Sequence, residues 1–93
     1  MIQSTVFSTI KRILEIELVI DVKDINEATI LQSIGIDSIA FMTLIVYLEE
    51  EYNIEIDITQ GLTQDYKNIT VKHLIIAVIN CYNNSENNEA SIG

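Results

Sequence analysis

The chain has 93 residues, 48% of them apolar, with fourteen acidic side chains against five basic ones and a formal charge of −9. That length suits one small domain with one core, and no apolar run approaches the roughly 20 residues that span a bilayer. The charge repels phosphate backbones and anionic lipid and favours partners with basic surfaces, so neither nucleic-acid binding nor a membrane span is expected.

Val6, Ile10, Ile13 and Leu14 recur at helical spacing through residues 5–17, with Ser4 or Thr5 available as N-cap. From Val19 to Leu31 the pattern breaks around Asp21, Asp24 and Asn26, whose side chains compete for backbone hydrogen bonds. A long ordered connection is expected there. Gly35 then precedes Asp37 and Ser38 and a helix-forming run to about Tyr52, with Asp37 placed to cap its first turn.

Residues 53–61 alternate polar and apolar, as a strand would. With no partner strand in the pattern, the segment is expected to be an extended loop that tucks Ile54 and Ile56 into the core, followed by a short helical turn near Leu62–Tyr66. Thr70 can cap a last helix carrying Val71, Leu74, Ile75, Val78, Ile79 and Tyr82 on one face. Beyond Asn83 the chain turns polar and patternless. The expectation is an all-α, small four-helix bundle over residues 1–82, with three long helices, one short helix and a long loop between helices one and two, and a disordered polar tail over 83–93.

Catalytic chemistry finds little to use. One histidine, one cysteine and scattered carboxylates supply no nucleophile with its base and orienting group. His73 stands alone in the last helix, and Glu49, Glu50 and Glu51 fan around a helix rather than converge, so no metal is expected. Cys81 has no partner for an internal disulfide. The start lacks the features of a secretory signal, which points to a cytoplasmic protein and makes the acceptor patterns at Asn68 and Asn83 chance matches.

The remaining feature is Gly35-Ile36-Asp37-Ser38-Ile39, a turn that delivers a serine hydroxyl to the first turn of a helix. By itself it is also what a capped helix start looks like. Its surroundings add to it: Leu31-Gln-Ser-Ile leads in, Leu48-Glu-Glu-Glu-Tyr52-Asn-Ile-Glu-Ile56 follows, and Ile69-Thr70-Val71 opens the last helix. In this order and spacing the chain resembles the acyl and peptidyl carrier proteins over residues 5–82, with Ile39 where the family has leucine.

The resemblance implies that Ser38 accepts 4′-phosphopantetheine from coenzyme A through a separate, magnesium-dependent phosphopantetheinyl transferase, and that the chain is no enzyme but a substrate and carrier. It also implies that Asp37, besides capping, contacts the transferase or its metal. On the family pattern Ile39, Ile45, Leu48 and Tyr52 face the bundle, while Ala40, Phe41, Thr43, Leu44 and Tyr47 lie towards solvent or the arm. Such an exposed apolar strip, with Glu50, is expected to be a partner-binding face with Phe41 as its anchor; the alternative is a helix two that is more deeply buried. Fatty-acid carriers place carboxylates just after the serine, where this chain has Ala40 and Thr43. The expected role is therefore a free-standing, monomeric carrier of acyl or aminoacyl thioesters in a specialised pathway such as peptide or polyketide assembly, aminoacyl loading or D-alanyl transfer. Its further partners would be a loading enzyme and a downstream transferase or synthase. The alternatives are a fatty-acid synthesis carrier and an unmodified helical protein-interaction module.

Overall fold

The computed structural model describes residues 2–56 and 68–92, with side chains described as far as Asn84. Among the described residues three α-helices, α1 (Gln3–Ile16), α2 (Ser38–Tyr52) and α3 (Val71–Ile92), enclose one core, and a short 3-10 turn spans Leu31–Ile34. The described residues form no strand, only a single antiparallel bridge between Ile30 and Thr70. The short helix expected near Leu62–Tyr66 lies outside them.

The core face of α1 is Val6, Ile10, Ile13 and Leu14, the four positions the helical period picks out. Its start differs from expectation. Ile2 is the N-cap residue, in extended conformation and without a side-chain cap, and its carbonyl accepts from the N–H groups of Thr5 and Val6 at 3.1 and 3.2 Å. Ser4 and Thr5 thus lie inside the helix, and Thr9 turns its hydroxyl back onto the Thr5 carbonyl. The first core contact, Val6, sits one turn into the helix, and the backbone winds back from it as far as Ile2.

The connection from α1 to α2 is ordered by the polar side chains that break its periodicity. The Asp21 carboxylate accepts from Lys23 N–H at 2.9 Å, the Asn26 amide oxygen from Ala28 N–H at 2.8 Å, and the Thr29 hydroxyl from Asn26 N–H at 2.9 Å. Ile25 pins the middle of the loop to the core. The segment 27–31 is then laced onto the head of α3. Leu31 N–H donates to the Ile69 carbonyl at 2.9 Å, Val71 N–H to Thr29 at 3.0 Å, and Lys72 N–H to Glu27 at 2.9 Å.

α2 buries Phe41, Leu44, Ile45 and Leu48. It ends at Asn53, whose left-handed backbone (φ 54°) returns its N–H to the Glu49 carbonyl. The Glu49 carboxylate accepts from Ile56 N–H at 2.8 Å and ties down residues 54–56, with Ile54 and Ile56 buried as expected. α1 packs against both other helices. Its register on α2 is marked by a Tyr52 hydroxyl donating to Thr9 at 2.8 Å and by an Arg12–Glu51 ion pair at 2.7 Å. The pair is exposed and adds little.

α3 buries Val71, Leu74, Ile75 and Val78 and packs Ile79, Cys81 and Tyr82 against the same cluster. Its backbone stays helical to Ile92, across the residues expected to be a disordered tail. A helix anchored by earlier turns extends at small cost per residue, because its nucleus already exists.

Besides Asn53, two described residues take the left-handed conformation, for opposite reasons. At Gly35 (φ 92°) a side chain would meet nothing within 4 Å, so only the backbone angle selects glycine. At Val19 (φ 55°) a β-branched residue, 84% exposed, occupies a conformation that L-residues with branched Cβ atoms avoid. Gly35→Ala should therefore destabilise by about 1–2 kcal/mol, and Val19→Gly should stabilise by roughly 0.5–1 kcal/mol. Urea denaturation of both variants checks this; equal and like-signed changes would show that neither angle governs its residue.

Candidate functional site

The serine at the head of α2 is placed by four residues before it. Leu31 is fully buried and opens the 3-10 turn. Gly35, in its left-handed conformation, donates its N–H back to the Gln32 and Leu31 carbonyls, and Ile36 donates to Leu31 at 3.2 Å. Ile36 is again fully buried. The chain is thus fixed on both sides of the turn by apolar side chains, and it emerges at Asp37 with the backbone extended (φ −82°, ψ −176°).

Asp37 caps α2 as expected. Its Oδ1 accepts from Ala40 N–H at 2.8 Å, and its carbonyl accepts from Phe41 N–H at 2.8 Å. Helix geometry leaves the first N–H groups, those of Ser38 and Ile39, without intrahelical acceptors. Ser38 is exposed at the first helical position, beside these donors and the positive end of the helix dipole. An exposed hydroxyl next to free N–H groups suits a phosphodiester. The donor set fits an anion built on that oxygen, and Asp37, the nearest carboxylate in sequence, has an oxygen committed to the cap.

The face of α2 that meets solvent is not the expected one. Phe41, proposed as an exposed anchor, is 1% exposed, and Leu44 is fully buried. Ile39, expected to face the bundle, is 76% exposed. The reason is helical phase: Leu44 and Phe41 fall one and two turns back from the buried Leu48 on the same side, whereas Ile39 lies nine residues, about 180°, around from Leu48. Met42 (43%) and Val46 (47%) continue the outward stripe begun by Ile39. Because α2 is apolar on both sides, periodicity gives this stripe little contrast, and helical phase counted from the buried Leu48 picks it out.

The other expected members of that face divide. Ala40, Thr43 and Tyr47 are half-buried, and Glu50 is exposed. Thr43 spends its hydroxyl on the Ile39 carbonyl at 3.1 Å. Tyr47 hydrogen-bonds Glu17, and that bond, with the carboxylate's charge behind it, raises the phenol pKa above its ordinary value. Of the three consecutive glutamates, Glu49 holds Ile56 N–H and Glu51 holds Arg12.

Away from the helix head, His73 is exposed and is part of a cap. Thr70 N–H donates to His73 Nδ1 at 3.0 Å, and His73 N–H donates to the Thr70 hydroxyl at 3.3 Å. This is the reciprocal arrangement of a capping box, with histidine where glutamate or glutamine is usual. The sequence pattern identified Thr70 as a cap but not its partner. Among the described residues no cluster of potential metal ligands occurs, and no helix is long and apolar enough to cross a membrane.

Comparison with curated proteins and with solved structures gives no match. Comparison with family models gives one, the phosphopantetheine attachment site, over residues 5–69. The matched span runs from the first turns of α1 to the residue before the α3 cap and includes the whole turn that presents Ser38. The chain therefore belongs to the phosphopantetheine attachment-site family, non-catalytic carriers that hold 4′-phosphopantetheine covalently on a serine and work with a phosphopantetheinyl transferase and biosynthetic enzymes.

Proposed function

We propose that Ser38 is the serine that carries the arm, and that the chain holds acyl or aminoacyl groups as thioesters on it in a specialised, cytoplasmic biosynthetic pathway. The observation that carries this is the exposed hydroxyl at the first position of α2, on a turn fixed by Leu31, Gly35 and Ile36. The arm supplies the thiol that bears the cargo. The polypeptide supplies the attachment oxygen, the N–H groups and dipole that favour the phosphodiester, and the surface that partners recognise. We assign the second carboxylate oxygen of Asp37 to contact with the transferase or its metal.

The specialised role is supported by the uncharged stripe beside Ser38. Ile39, Met42 and Val46 occupy the outward positions of the first two turns and a half, and Glu50 is the first carboxylate on α2 with no bond to its own chain described. A partner reading this surface meets apolar side chains before it meets charge. A fatty-acid carrier that relied on early carboxylates would present the reverse.

Incubation with coenzyme A, magnesium and a broad-specificity transferase, followed by intact-protein mass spectrometry and peptide mapping, should place one arm on Ser38. Ser38→Ala should remain unmodified while keeping its stability within about 0.5 kcal/mol, as surface substitutions do. An arm mapped elsewhere, or none with several competent transferases, would replace the carrier assignment with that of an unmodified interaction module.

Docking gives a second expectation. Ile39→Ser and Met42→Ala should each weaken binding to a cognate loading enzyme by about 1–2 kcal/mol with the fold intact, because apolar anchors near an interface centre dominate its energy. Phe41→Ala should instead destabilise the protein by about 3–5 kcal/mol through loss of a buried aromatic. Titrations at low and moderate salt decide it: strong salt dependence, a large effect of Glu50→Gln and inert Ile39 and Met42 variants would show that charge leads recognition.

A further inference from the structure

Thr70 and His73 lie more than thirty residues after Ser38 in the chain, yet hydrogen bonds tie the backbone flanking them to Leu31, and Leu31 to the turn that leads into Ser38. Their reciprocal cap fixes where α3 begins, and the backbone on either side of that cap is what receives the connection from α1. Ile69, just before the cap, accepts from Leu31 N–H at 2.9 Å, and Val71, just after it, donates to Thr29 at 3.0 Å. Lys72 N–H donates to Glu27 at 2.9 Å, and Ile30 bridges Thr70 itself. Leu31 in turn receives the Gly35 and Ile36 N–H groups whose bonds form the turn before Asp37 and Ser38.

We propose that Thr70 and His73 are positioning residues for Ser38: the cap at the head of α3 holds the 27–31 segment in register and thereby sets the turn that presents the serine to the transferase. The inference rests on Ser38 being the attachment residue. His73 is exposed and Thr70 only half-buried, so truncating either leaves no cavity in the core. Their contribution lies in where the backbone is held.

The physical consequence is specific. A loosened cap lets the 27–31 segment leave its register part of the time, and a transferase that needs the correct turn then meets a smaller competent fraction. Apparent affinity falls by that fraction, whereas the rate within the productive complex does not. The effect belongs in KM.

The experiment compares the wild type with Thr70→Val and His73→Ala, with the conservative replacements Thr70→Ser and His73→Gln, and with Thr9→Val. The last removes the Tyr52 hydrogen bond between α1 and α2 and serves as a stability control away from the lacing. Each is assayed for phosphopantetheinylation kinetics and, independently, for backbone amide chemical shifts. In Thr70→Val and His73→Ala, KM should rise roughly two- to fivefold, fivefold being about the whole of what a helix cap contributes, with kcat unchanged. Amide shifts should move at Leu31, Gly35, Ile36 and Ser38 as well as at the α3 head. Serine and glutamine should restore both readouts, since either preserves the capping-box bonds, and Thr9→Val should leave the amides of residues 31–38 in place. Shifts confined to α3 with an unaltered KM, or a Thr9→Val variant that reproduces the KM rise, would overturn the proposal. A wild type that no transferase modifies would overturn the attachment assignment alone, and the amide shifts would still sustain or refute the coupling.

Discussion

Gly35 stands between two fully buried side chains, Leu31 and Ile36, and turns the chain left-handed between them. Most of what this domain presents to other molecules depends on that arrangement. Burial of the two apolar residues is worth about 1.5–3 kcal/mol each, enough to hold the short turn against its conformational entropy. With both ends held, the backbone has one exit, extended at Asp37, and the cap formed by Asp37 begins α2 with Ser38 as its first residue. An exposed serine is thus placed by a turn whose two anchoring side chains, Leu31 and Ile36, are not exposed at all. This separates the proposed attachment oxygen, which has to be reachable, from the residues that decide where it is.

The same division of labour runs through α2. Its inward face is Phe41, Leu44, Ile45 and Leu48, and its outward stripe is Ile39, Met42 and Val46, so the helix is apolar on both sides. Inward, these residues contribute to a core without a buried polar or charged side chain among the described residues. Outward, they leave an apolar surface beside the serine, unusual on a protein carrying a charge of −9. The acidic residues of this helix cluster at its far end, where Glu49 and Glu51 bind the chain itself. On the proposed reading this stripe, rather than the distant charge, is what a partner meets first.

α1 and α3 were legible because their apolar residues keep the 3.6-residue period, as Val6, Ile10, Ile13 and Leu14 do without exception, and α2 because an uninterrupted helix-forming run follows a capped start. The turn at Gly35 and the cap at Asp37 were legible because glycine and aspartate have narrow conformational uses. The α2 faces were not legible for the opposite reason: a helix that is apolar all round gives periodicity little contrast, and the family pattern puts Ile39 inside and Phe41 outside. Helical phase counted from Leu48 resolves it. The start of α1 carries no side-chain cap and so left no mark in the sequence. The lacing of residues 27–31 onto the α3 head joins backbone groups, which any residue type would supply, and His73 as the partner of Thr70 is an unusual residue for that position.

The central claim is that Ser38 sits on a prebuilt turn, and that the arm extends from the helix head without disturbing the bundle that holds it. Comparing backbone amide resonances of the protein before and after loading with phosphopantetheine tests this most directly. The account predicts changes concentrated at Ser38 and Ile39 and fading through Gly35 to Met42, with Leu14, Leu48 and Leu74 in the core unmoved. Changes spread through the core, or an unchanged Ser38 in a protein that has gained the arm, would contradict it.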